Sequence, residues 1–430
     1  MKKKIQLVEK HIISKNHKHY LEIDKIAFLS KNLYNRANYI IRQEFISTSK
    51  QKEQGKRKAA NWIRYHEIQK LLQNNNDADY IALPRKVSQQ ILSLLDKNWK
   101  SFFKAIKKWK QTPAKFKGRP SLPKYKHKTN GRNILIYTIQ AISKIQLKKG
   151  FVNLSGTNIS INTKQNNIHQ TRIIPLRNKA YKLEIIYEKE IETRNIDKSR
   201  IASIDIGLNN LATVTSNVKE FKPFIINGRP LKSMNQYFNK RKAKAVSDVM
   251  RQDKDRRTSN RIEKLVFKRN CKVDDYLHKA SRIIVNKLVE FNIGTLVIGK
   301  NDQWKNEINI GNRNNQNFVS IPHARFIKMM EYKCQLLSIA VIEQEESHTS
   351  KCSLLDLEPI EHREKYVGKR VKRGLFRSAK GIKINADCNG SGNIMRKAIP
   401  NCFTANGIEG FVVSPVRINP KGYYSHKQAA

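Results

Sequence analysis

The stretch Ser203-Ile204-Asp205-Ile206-Gly207-Leu208-Asn209-Asn210-Leu211-Ala212-Thr213 places one acid among small and apolar residues. Ile201, Ile204 and Ile206 predict a buried strand that holds the Asp205 carboxylate at a fixed point, and Gly207 lets the backbone turn close to a ligand. A carboxylate held in this way is typical of a cation site.

A second segment, Asn385-Ala386-Asp387-Cys388-Asn389-Gly390-Ser391-Gly392-Asn393-Ile394, has the same character. Its small residues allow a helix or turn to lie tightly against a sheet. We therefore expect Asp387 to approach Asp205.

The elements between these segments predict the fold around them. Strands near 201–206, 211–214 and 223–226 form a meander, and a charged helical pair covers about 233–251 and 261–290. A strand at 295–298, a helix at about 323–337, a strand at 340–342 and a last helix carrying Asp387 complete the element order of an RNase H-like fold. The fold class predicted for the whole chain is α+β multidomain, with this mixed α/β domain at about 200–398 and an unstructured, basic tail at 399–430.

Cleavage of nucleic acid by two divalent ions needs a third acid beside the two aspartates. Its usual place is the end of strand 295–298, where the chain has Gly299-Lys300-Asn301 instead. The neighbouring strand ends in Glu343-Gln344-Glu345-Glu346, so Glu345 and Glu346 are both candidates to reach the same site, and side-chain alternation predicts that one of them faces it. The predicted catalytic and magnesium-binding residues are Asp205, Glu345, Glu346 and Asp387.

The charge of the chain identifies its class of partner. Lys and Arg number 85 against 35 acids, a formal net charge of +50 over 430 residues, which predicts binding to nucleic acid. No long apolar run, signal peptide or lipidation motif supports a membrane partner. Five scattered cysteines argue for a reducing compartment, so the expected location is the cytoplasm, associated with the nucleoid.

The first half of the chain predicts a helical region at about 24–119 and a small β-domain formed by 1–23 and 120–199. Residues 97–128 contain twelve Lys or Arg, no acid, and interleaved aromatic residues, which favours contacts with phosphates and bases. The predicted nucleic-acid-binding residues are Lys100, Lys104, Lys107, Lys108, Lys115, Lys117, Arg119, Lys124, Tyr125 and Lys126.

Several segments in this order resemble the TnpB (OrfB) proteins of insertion sequences, which are RNA-guided DNA endonucleases. Besides the two acid-containing segments, the resemblance includes Ala82-Leu83-Pro84, Trp99-Lys100-Ser101-Phe102-Phe103, Lys115-Phe116-Lys117-Gly118-Arg119-Pro120, Asn314-Asn315-Gln316-Asn317-Phe318 and His348-Thr349-Ser350-Lys351. The resemblance implies a helical recognition domain, a β-barrel wedge domain and a RuvC nuclease domain. It also implies a guide RNA, a double-stranded DNA target beside a short adjacent motif, magnesium, and an association with the element's separate transposase. By position, Asp205 resembles the first RuvC acid and Asp387 the last.

The chain departs from the family pattern in two places. The middle acid is absent at Gly299, as in a subgroup in which it is relocated, here to Glu345 or Glu346. Family members also carry a four-cysteine zinc ribbon, whereas this chain keeps Cys352 and has a basic segment at 369–383, within a degenerate ribbon at about 351–384. No structural zinc is expected, and the alternative is a residual site formed by His348, Cys352, His362 and Cys388.

The sequence thus predicts a magnesium-dependent, RuvC-type endodeoxyribonuclease guided by RNA. The alternative is a nuclease-inactive, RNA-guided DNA-binding protein that acts as a repressor. An actin-like ATPase built on Asp205-Ile206-Gly207 is disfavoured by the absence of a second glycine-rich phosphate turn. A transposase that uses a Tyr nucleophile is disfavoured because no such Tyr lies beside a His-hydrophobic-His motif.

Overall fold

The computed structural model describes residues 3–301, 320–403 and 408–427. The chain divides into two compact units: an N-terminal unit, 4–189, and a C-terminal unit, 190–430 together with residues 1–3. Asn314–Phe318 of the family resemblance lies outside the described residues. None of the described helices has both the length and the apolar character needed to cross a bilayer.

The N-terminal unit combines helices with two small sheets around one hydrophobic core. Its helices are α1 (Tyr20–Glu53), α2 (Tyr65–Asn74), α3 (Ala78–Ile81), α4 (Arg85–Gln111) and α5 (Lys144–Lys148), with 3₁₀ turns at Pro113–Lys115 and Ile139–Ala141. Its strands are β1 (Lys4–Ile13), β2 (Leu135–Thr138), β3 (Phe151–Asn153), β4 (Ser160–Asn162), β5 (Ile168–Pro175) and β6 (Tyr181–Glu190).

Trp99 on α4 is the centre of the helical packing. It is fully buried, contacts Phe45, Trp62 and Phe103, and donates its indole N–H to Asn38 Oδ1 over 3.1 Å. The buried apolar residues of α1 and α4 recur with the helical period, as at Leu33, Ala37 and Ile41 on α1 and at Val87, Ile91 and Leu95 on α4. Helix α1 begins at Tyr20, earlier than the predicted start at Asp24.

Asp24 lies within α1, five residues after its N-cap His19, and its carboxylate binds other elements of the unit. It accepts two hydrogen bonds from Arg132, at 2.6 and 2.9 Å, and one from Tyr181 at 2.6 Å. Arg132 and Tyr181 lower the pKa of Asp24 despite its partial burial, so its role is to tie α1 to β6.

The strands of the N-terminal unit form a sheet in the order β1-β6-β5-β2 and a separate β3-β4 hairpin. The sequence predicted that the N-terminal strand completes this sheet, and β1 does so by pairing with β6. The sheet is open among the described residues, so the predicted β-barrel is not confirmed. A division of this unit into helical and β-domains stays a prediction, since one core serves both.

The C-terminal unit is built on a six-stranded sheet in the order β11-β10-β7-β8-β9-β15. Its strands are β7 (Asp197–Asp205), β8 (Asn210–Ser216), β9 (Phe224–Asn227), β10 (Ile293–Gly299), β11 (Ala340–Gln344) and β15 (Val416–Ile418). Strands β7, β8 and β9 form the predicted antiparallel meander, and β10 runs parallel to both β7 and β11. The carboxyl ends of β7, β10 and β11 therefore lie together.

Helices cover both faces of this sheet. They are α6 (Arg229–Gln252), α7 (Asn260–Glu290), α8 (His323–Gln335), α9 (Ala386–Ala398) and α10 (Pro420–Lys427), with a 3₁₀ turn at Glu409–Val412. Helices α7 and α8 pack on one face through Tyr276, Ile284 and Phe326, and α9 packs on the other through Ile394 and Met395. A three-stranded sheet, β12 (Lys369–Lys372), β13 (Leu375–Arg377) and β14 (Lys383–Asn385), precedes α9.

The predicted unstructured tail is wrong for residues 416–427. Strand β15 pairs in parallel with β9, and Val416 N–H donates to Pro223 O at 2.9 Å, which extends the main sheet by one strand. Strand β15 was not predicted because its three residues are too few to show the alternation of apolar and polar side chains typical of a strand.

Candidate active site

Asp205 lies at the carboxyl end of β7, between its partners β8 and β10. The helix α9 passes so close that a methyl group added at Gly390 would lie 3.1 Å from Asp205 Oδ2. Burial raises the pKa of Asp205 to about 7, with a further contribution from the charge of Asp387 and a partial offset from Arg370.

Asp387 lies in the first turn of α9, where the exposed N–H groups of a helix favour negative charge. Asn385 caps this helix, since its Oδ1 accepts from Asp387 N–H at 3.0 Å and from Cys388 N–H at 3.2 Å. Asn210 donates to Asp387 Oδ2 at 2.5 Å, and Arg370 lies 3.7 Å from Asp387 Oδ1. The second acid is thus held beside the first, as predicted from the small residues of its segment.

A buried hydroxyl cluster fixes the distance between α9 and the sheet. Ser391 Oγ donates to Ser203 O at 3.0 Å and lies 2.8 Å from Thr215 Oγ1, while Ser203 Oγ donates to Ser391 O at 2.6 Å. All three side chains are buried. Because buried hydroxyls keep their partners, this cluster sets the position of α9 relative to β7 and β8.

Glu346 occupies the place beside β10 where the sequence lacks an acid. A methyl group at Gly299 would lie 2.3 Å from Glu346 Oε1 and 2.6 Å from Ile394 Cδ1, so the missing side chain at Gly299 makes room for the glutamate. Asn301 holds it in place: Asn301 Nδ2 donates to Glu346 Oε2 at 3.3 Å, and Glu346 N–H donates to Asn301 Oδ1 at 3.2 Å.

The environment of Glu346 disfavours its charge. Burial raises its pKa to about 8, with contributions from Asp205 and Glu345, and its Oε1 is buried without a hydrogen-bond partner in the described part of the chain. A buried, unpaired carboxylate oxygen is costly unless a cation or proton accompanies it.

Glu345 points to a different set of partners. Its carboxylate forms an ion pair with Lys397 at 2.7 Å and accepts from Ser347 N–H at 2.8 Å and Ser347 Oγ at 2.6 Å. These hydrogen bonds lower the pKa of Glu345 to about 2. Of the two candidate glutamates, the structure brings Glu346 toward Asp205 and leaves Glu345 exposed at the surface.

Asp205 and Asp387 open into a cleft of about 400 Å³. Four arginines also line this cleft, and the sequence did not predict them there: Arg229, Arg370, Arg373 and Arg417. Arg370 and Arg373 belong to the basic segment 369–383, and that run of charge is the signal that could have indicated them. Carboxylates beside several guanidinium groups suit a phosphodiester and its counter-ions.

The acids are not gathered into a closed ligand set. Among the described residues, no three His, Cys, Asp or Glu side chains lie close enough together to hold a metal ion. The donor chemistry nevertheless suits magnesium, because Asp205 and Glu346 are neighbouring oxygen donors whose burial penalises their charge until a cation arrives.

The region of the degenerate zinc ribbon has an apolar core of its own. Phe376, Ile384 and Cys388 pack together, and the buried Glu358 accepts from Ser353 N–H at 2.7 Å and Val367 N–H at 3.0 Å. Cys352 Sγ donates to the Pro359 carbonyl at 3.5 Å. The predicted residual ligands His348 and His362 contact each other with ring centroids 5.6 Å apart. The absence of structural zinc stays a prediction.

The ten predicted nucleic-acid-binding residues are exposed on the N-terminal unit. Several belong to an extended segment, 123–128, that α1 holds through its side chains: Asn38 Nδ2 donates to Pro123 O at 2.9 Å, Asn35 Nδ2 to Lys126 O at 2.9 Å, and Lys31 Nζ to Lys128 O at 2.6 Å. The backbone of this segment is therefore fixed while its own cations stay exposed.

Two family models and a viral relative match parts or most of the chain. The family model OrfB_IS605, described as a probable transposase, matches residues 184–305, and the model described as Cas12f1-like, TNB domain, matches 323–394. The TnpB-like protein ORF457 of Acidianus two-tailed virus is 26% identical over 418 residues, covering 88% of this chain and 83% of the viral protein.

Among solved structures, the chain is similar in fold to a protein in a cryo-EM structure of a Cas12f1-sgRNA-target DNA complex. The match has a TM-score of 0.51 at 15% identity and covers 86% of this chain and 82% of that one. At this identity the similarity concerns the mixed α/β fold. Together, the two family models and the viral relative support the identification of the chain as a TnpB/OrfB family member.

Proposed function

We propose that the chain is an RNA-guided DNA endonuclease encoded by a transposable element, with one RNase H-like (RuvC) active site. The observation that carries this proposal is the position of Glu346, which fills the space above Gly299 and contributes a third acid beside Asp205. Without this relocation, the site would have only the two aspartates.

Asp205, Glu346 and Asp387 are the residues proposed to hold two magnesium ions. When bound, such ions activate water and stabilise the leaving oxygen in phosphodiester hydrolysis. The protein orients the ligands: β7 fixes Asp205, Asn301 fixes Glu346, and the capped first turn of α9 fixes Asp387. Because burial raises the pKa values of Asp205 and Glu346, cation binding is expected to release protons near neutral pH.

The arginines of the cleft are proposed to orient the DNA strand. Arg229, Arg373 and Arg417 line the cleft without an acidic partner among the residues that the structure describes, and Arg370 faces Asp387 at 3.7 Å. Arg417 also donates to Asn210 Oδ1 at 2.9 Å, and Asn210 in turn donates to Asp387, so the cationic and acidic sides of the cleft are connected.

Guidance by RNA is supported by charge and by family membership. A net charge of +50 demands an extensive polyanion, and the ten exposed basic and aromatic residues of 100–126 offer one surface for it. The similar Cas12f1 was solved with an sgRNA and target DNA. In this proposal, pairing with the guide selects the target, and the protein reads a short adjacent motif.

A recognition domain at 24–119, a wedge domain at 1–23 and 120–199, and association with the element's transposase are further parts of this proposal.

A second candidate is a guided DNA-binding protein that does not cut. It is favoured by the contact between Arg370 and Asp387, which places a guanidinium beside an acid that the nuclease needs free for a cation. The lack of a gathered three-ligand set in the described part of the chain points the same way.

Cleavage of a plasmid library distinguishes the two candidates. The protein, purified with its co-expressed flanking RNA, is given a matched target beside a randomised motif, with magnesium or with EDTA. The nuclease proposal expects magnesium-dependent loss of one motif class. Retention of every plasmid, together with guided binding to the same targets, would establish the non-cutting alternative.

A further inference from the structure

A second cationic site lies on the C-terminal unit, in a groove between α6 and α7. It encloses about 180 Å³. The aromatic and basic residues that line it are Tyr237, Phe238, Arg241, Lys268, Arg269 and Lys272. No acid is among the residues that line it. We call this the α6–α7 groove.

Tyr237 is the exposed aromatic residue of the α6–α7 groove. It is 61% exposed, and Arg241 orients it by donating to its hydroxyl at 2.8 Å with the guanidinium carbon 5.6 Å from the ring centroid. Phe238 lies deeper, between Lys242 and Arg269 at 6.0 and 5.8 Å from its ring centroid. An oriented, exposed ring among cations is the arrangement that binds bases by stacking and phosphates by charge.

The alternative explanation is an ordinary solvated helix surface, but the charge pattern of α6 argues against it. The helix carries seven Lys or Arg and one acid, Asp248. A solvated surface mixes both signs so that neighbouring side chains pair. Six of the seven cations lie within residues 229–244, where the helix carries no acid.

Helix α6 contributes residues both to this groove and to the candidate active site. Arg229, the first residue of α6, lines the catalytic cleft. Tyr237 follows eight residues later, which places it about 12 Å along the helix axis and about 80° around it. At about 3.4 Å per stacked nucleotide, this distance corresponds to two to four nucleotides.

Because α6 links the two sites, we propose that the α6–α7 groove binds the DNA strand that is being cut, with a base stacked on Tyr237 two to four nucleotides from the cleaved bond. Lys268 and Lys272 contact the phosphates beside that base. The proposal rests on the proposed nuclease function, since it names the path of the substrate strand beyond the cleft.

The test uses the full-length, guide-loaded protein carrying Asp205→Asn, bound to a matched target. The base analogue 2-aminopurine, whose fluorescence falls on stacking, is moved one nucleotide at a time along each DNA strand and along the guide RNA. We expect the largest loss of fluorescence two to four nucleotides from the bond that the wild-type protein cuts. Tyr237→Ala should restore the signal and Tyr237→Phe should not.

Cleavage rates give a second readout. In the otherwise wild-type protein, Tyr237→Ala should slow cutting at subsaturating target about 5- to 150-fold, the equivalent of one lost stacking contact of about 1–3 kcal/mol. The double variant Lys268→Ala/Lys272→Ala should slow it too, whereas Lys219→Ala, an exposed cation in the turn before β9, should not.

Two results would overturn the inference while leaving the nuclease intact: cutting at the wild-type rate by Tyr237→Ala, or a Tyr237-dependent signal confined to the guide RNA. A complex that binds its target without cutting would refute the nuclease instead, and the DNA scan would still report whether a strand lies on Tyr237. If Tyr237→Ala has a melting temperature well below that of the wild type, the cleavage rate of Lys268→Ala/Lys272→Ala is compared with that of Lys219→Ala instead. Equal rates for these two variants would then overturn the inference.

Discussion

Replacing Asp205 by asparagine should stabilise the metal-free protein at alkaline pH. Burial raises the pKa of Asp205 to about 7 from an ordinary value of 3.8, so the folded state retains a proton that the unfolded state has already released. Below pH 4 both states are protonated and the aspartate costs nothing. Stability therefore falls as the pH rises from about 4 to about 7, and the full cost of ionising Asp205 beside Asp387 is present above pH 7.

The difference of about three pKa units corresponds to about 4 kcal/mol above pH 8. Asparagine avoids this cost because it cannot ionise. Even half of that value should raise the melting temperature of Asp205→Asn by about 4–8 °C at pH 8.5 in EDTA, for a unit of this size. At pH 4 the two proteins should melt within about 1–2 °C of each other.

Thermal melts from pH 4 to 8.5 check this prediction, with Asp197→Asn as the control. Asp197 lies at the other end of the same strand, and hydrogen bonds from Ser199 lower its pKa, so its replacement should bring no gain at high pH. Magnesium should raise the melting temperature of the wild type at pH 8.5 more than that of Asp205→Asn. Equal melting of wild type and Asp205→Asn at pH 8.5 in EDTA would refute the reasoning.

Three further predictions follow from single contacts. Gly299→Ala places a methyl group 2.3 Å from Glu346 Oε1. Plasmid cleavage should be lost, and the free energy of unfolding in urea should fall by about 1–3 kcal/mol. Unchanged cleavage would show that Glu346 is not held beside Gly299. Ser391→Ala removes the hydroxyl that donates to the buried Ser203 carbonyl and contacts Thr215 Oγ1, which should cost about 1–3 kcal/mol in the same unfolding assay. A cost below about 0.5 kcal/mol would count against the hydroxyl cluster. Lys117→Ala should weaken nucleic-acid binding and lower the slope of log K against log salt by about 1; an unchanged slope in a salt titration would remove Lys117 from the interface.

The sequence predicted the sheet around the site well because each strand carries a local signal. The residues Leu296, Val297 and Ile298 before Gly299, and Ile201 and Ile204 before Asp205, are apolar, and all five side chains are buried in the structure. The convergence of Asp205 and Asp387 was also predictable, since only small residues such as Gly390 let a helix approach a carboxylate so closely.

The choice between Glu345 and Glu346 could not be made from the sequence. Strand β11 ends at Gln344, so alternation no longer fixes which of the two side chains faces the sheet. The decision depends on a long-range fit, in which Gly299 leaves a space and Asn301 binds the glutamate that fills it. The arginines of the cleft were missed for a similar reason, because they come together from separate elements.

The most direct test of the central claim compares Glu346→Gln with Glu345→Gln in guide-directed cleavage of a matched plasmid with magnesium. Both changes remove one charge and nearly preserve the side-chain volume, and target binding by each complex controls for folding and guide loading. We predict that Glu346→Gln binds its target but loses cleavage by at least about 100-fold. Glu345→Gln weakens an exposed ion pair with Lys397 and hydrogen bonds from Ser347, so it should cut within about threefold of the wild type. Full cleavage by Glu346→Gln would contradict the relocation of the third acid to Glu346.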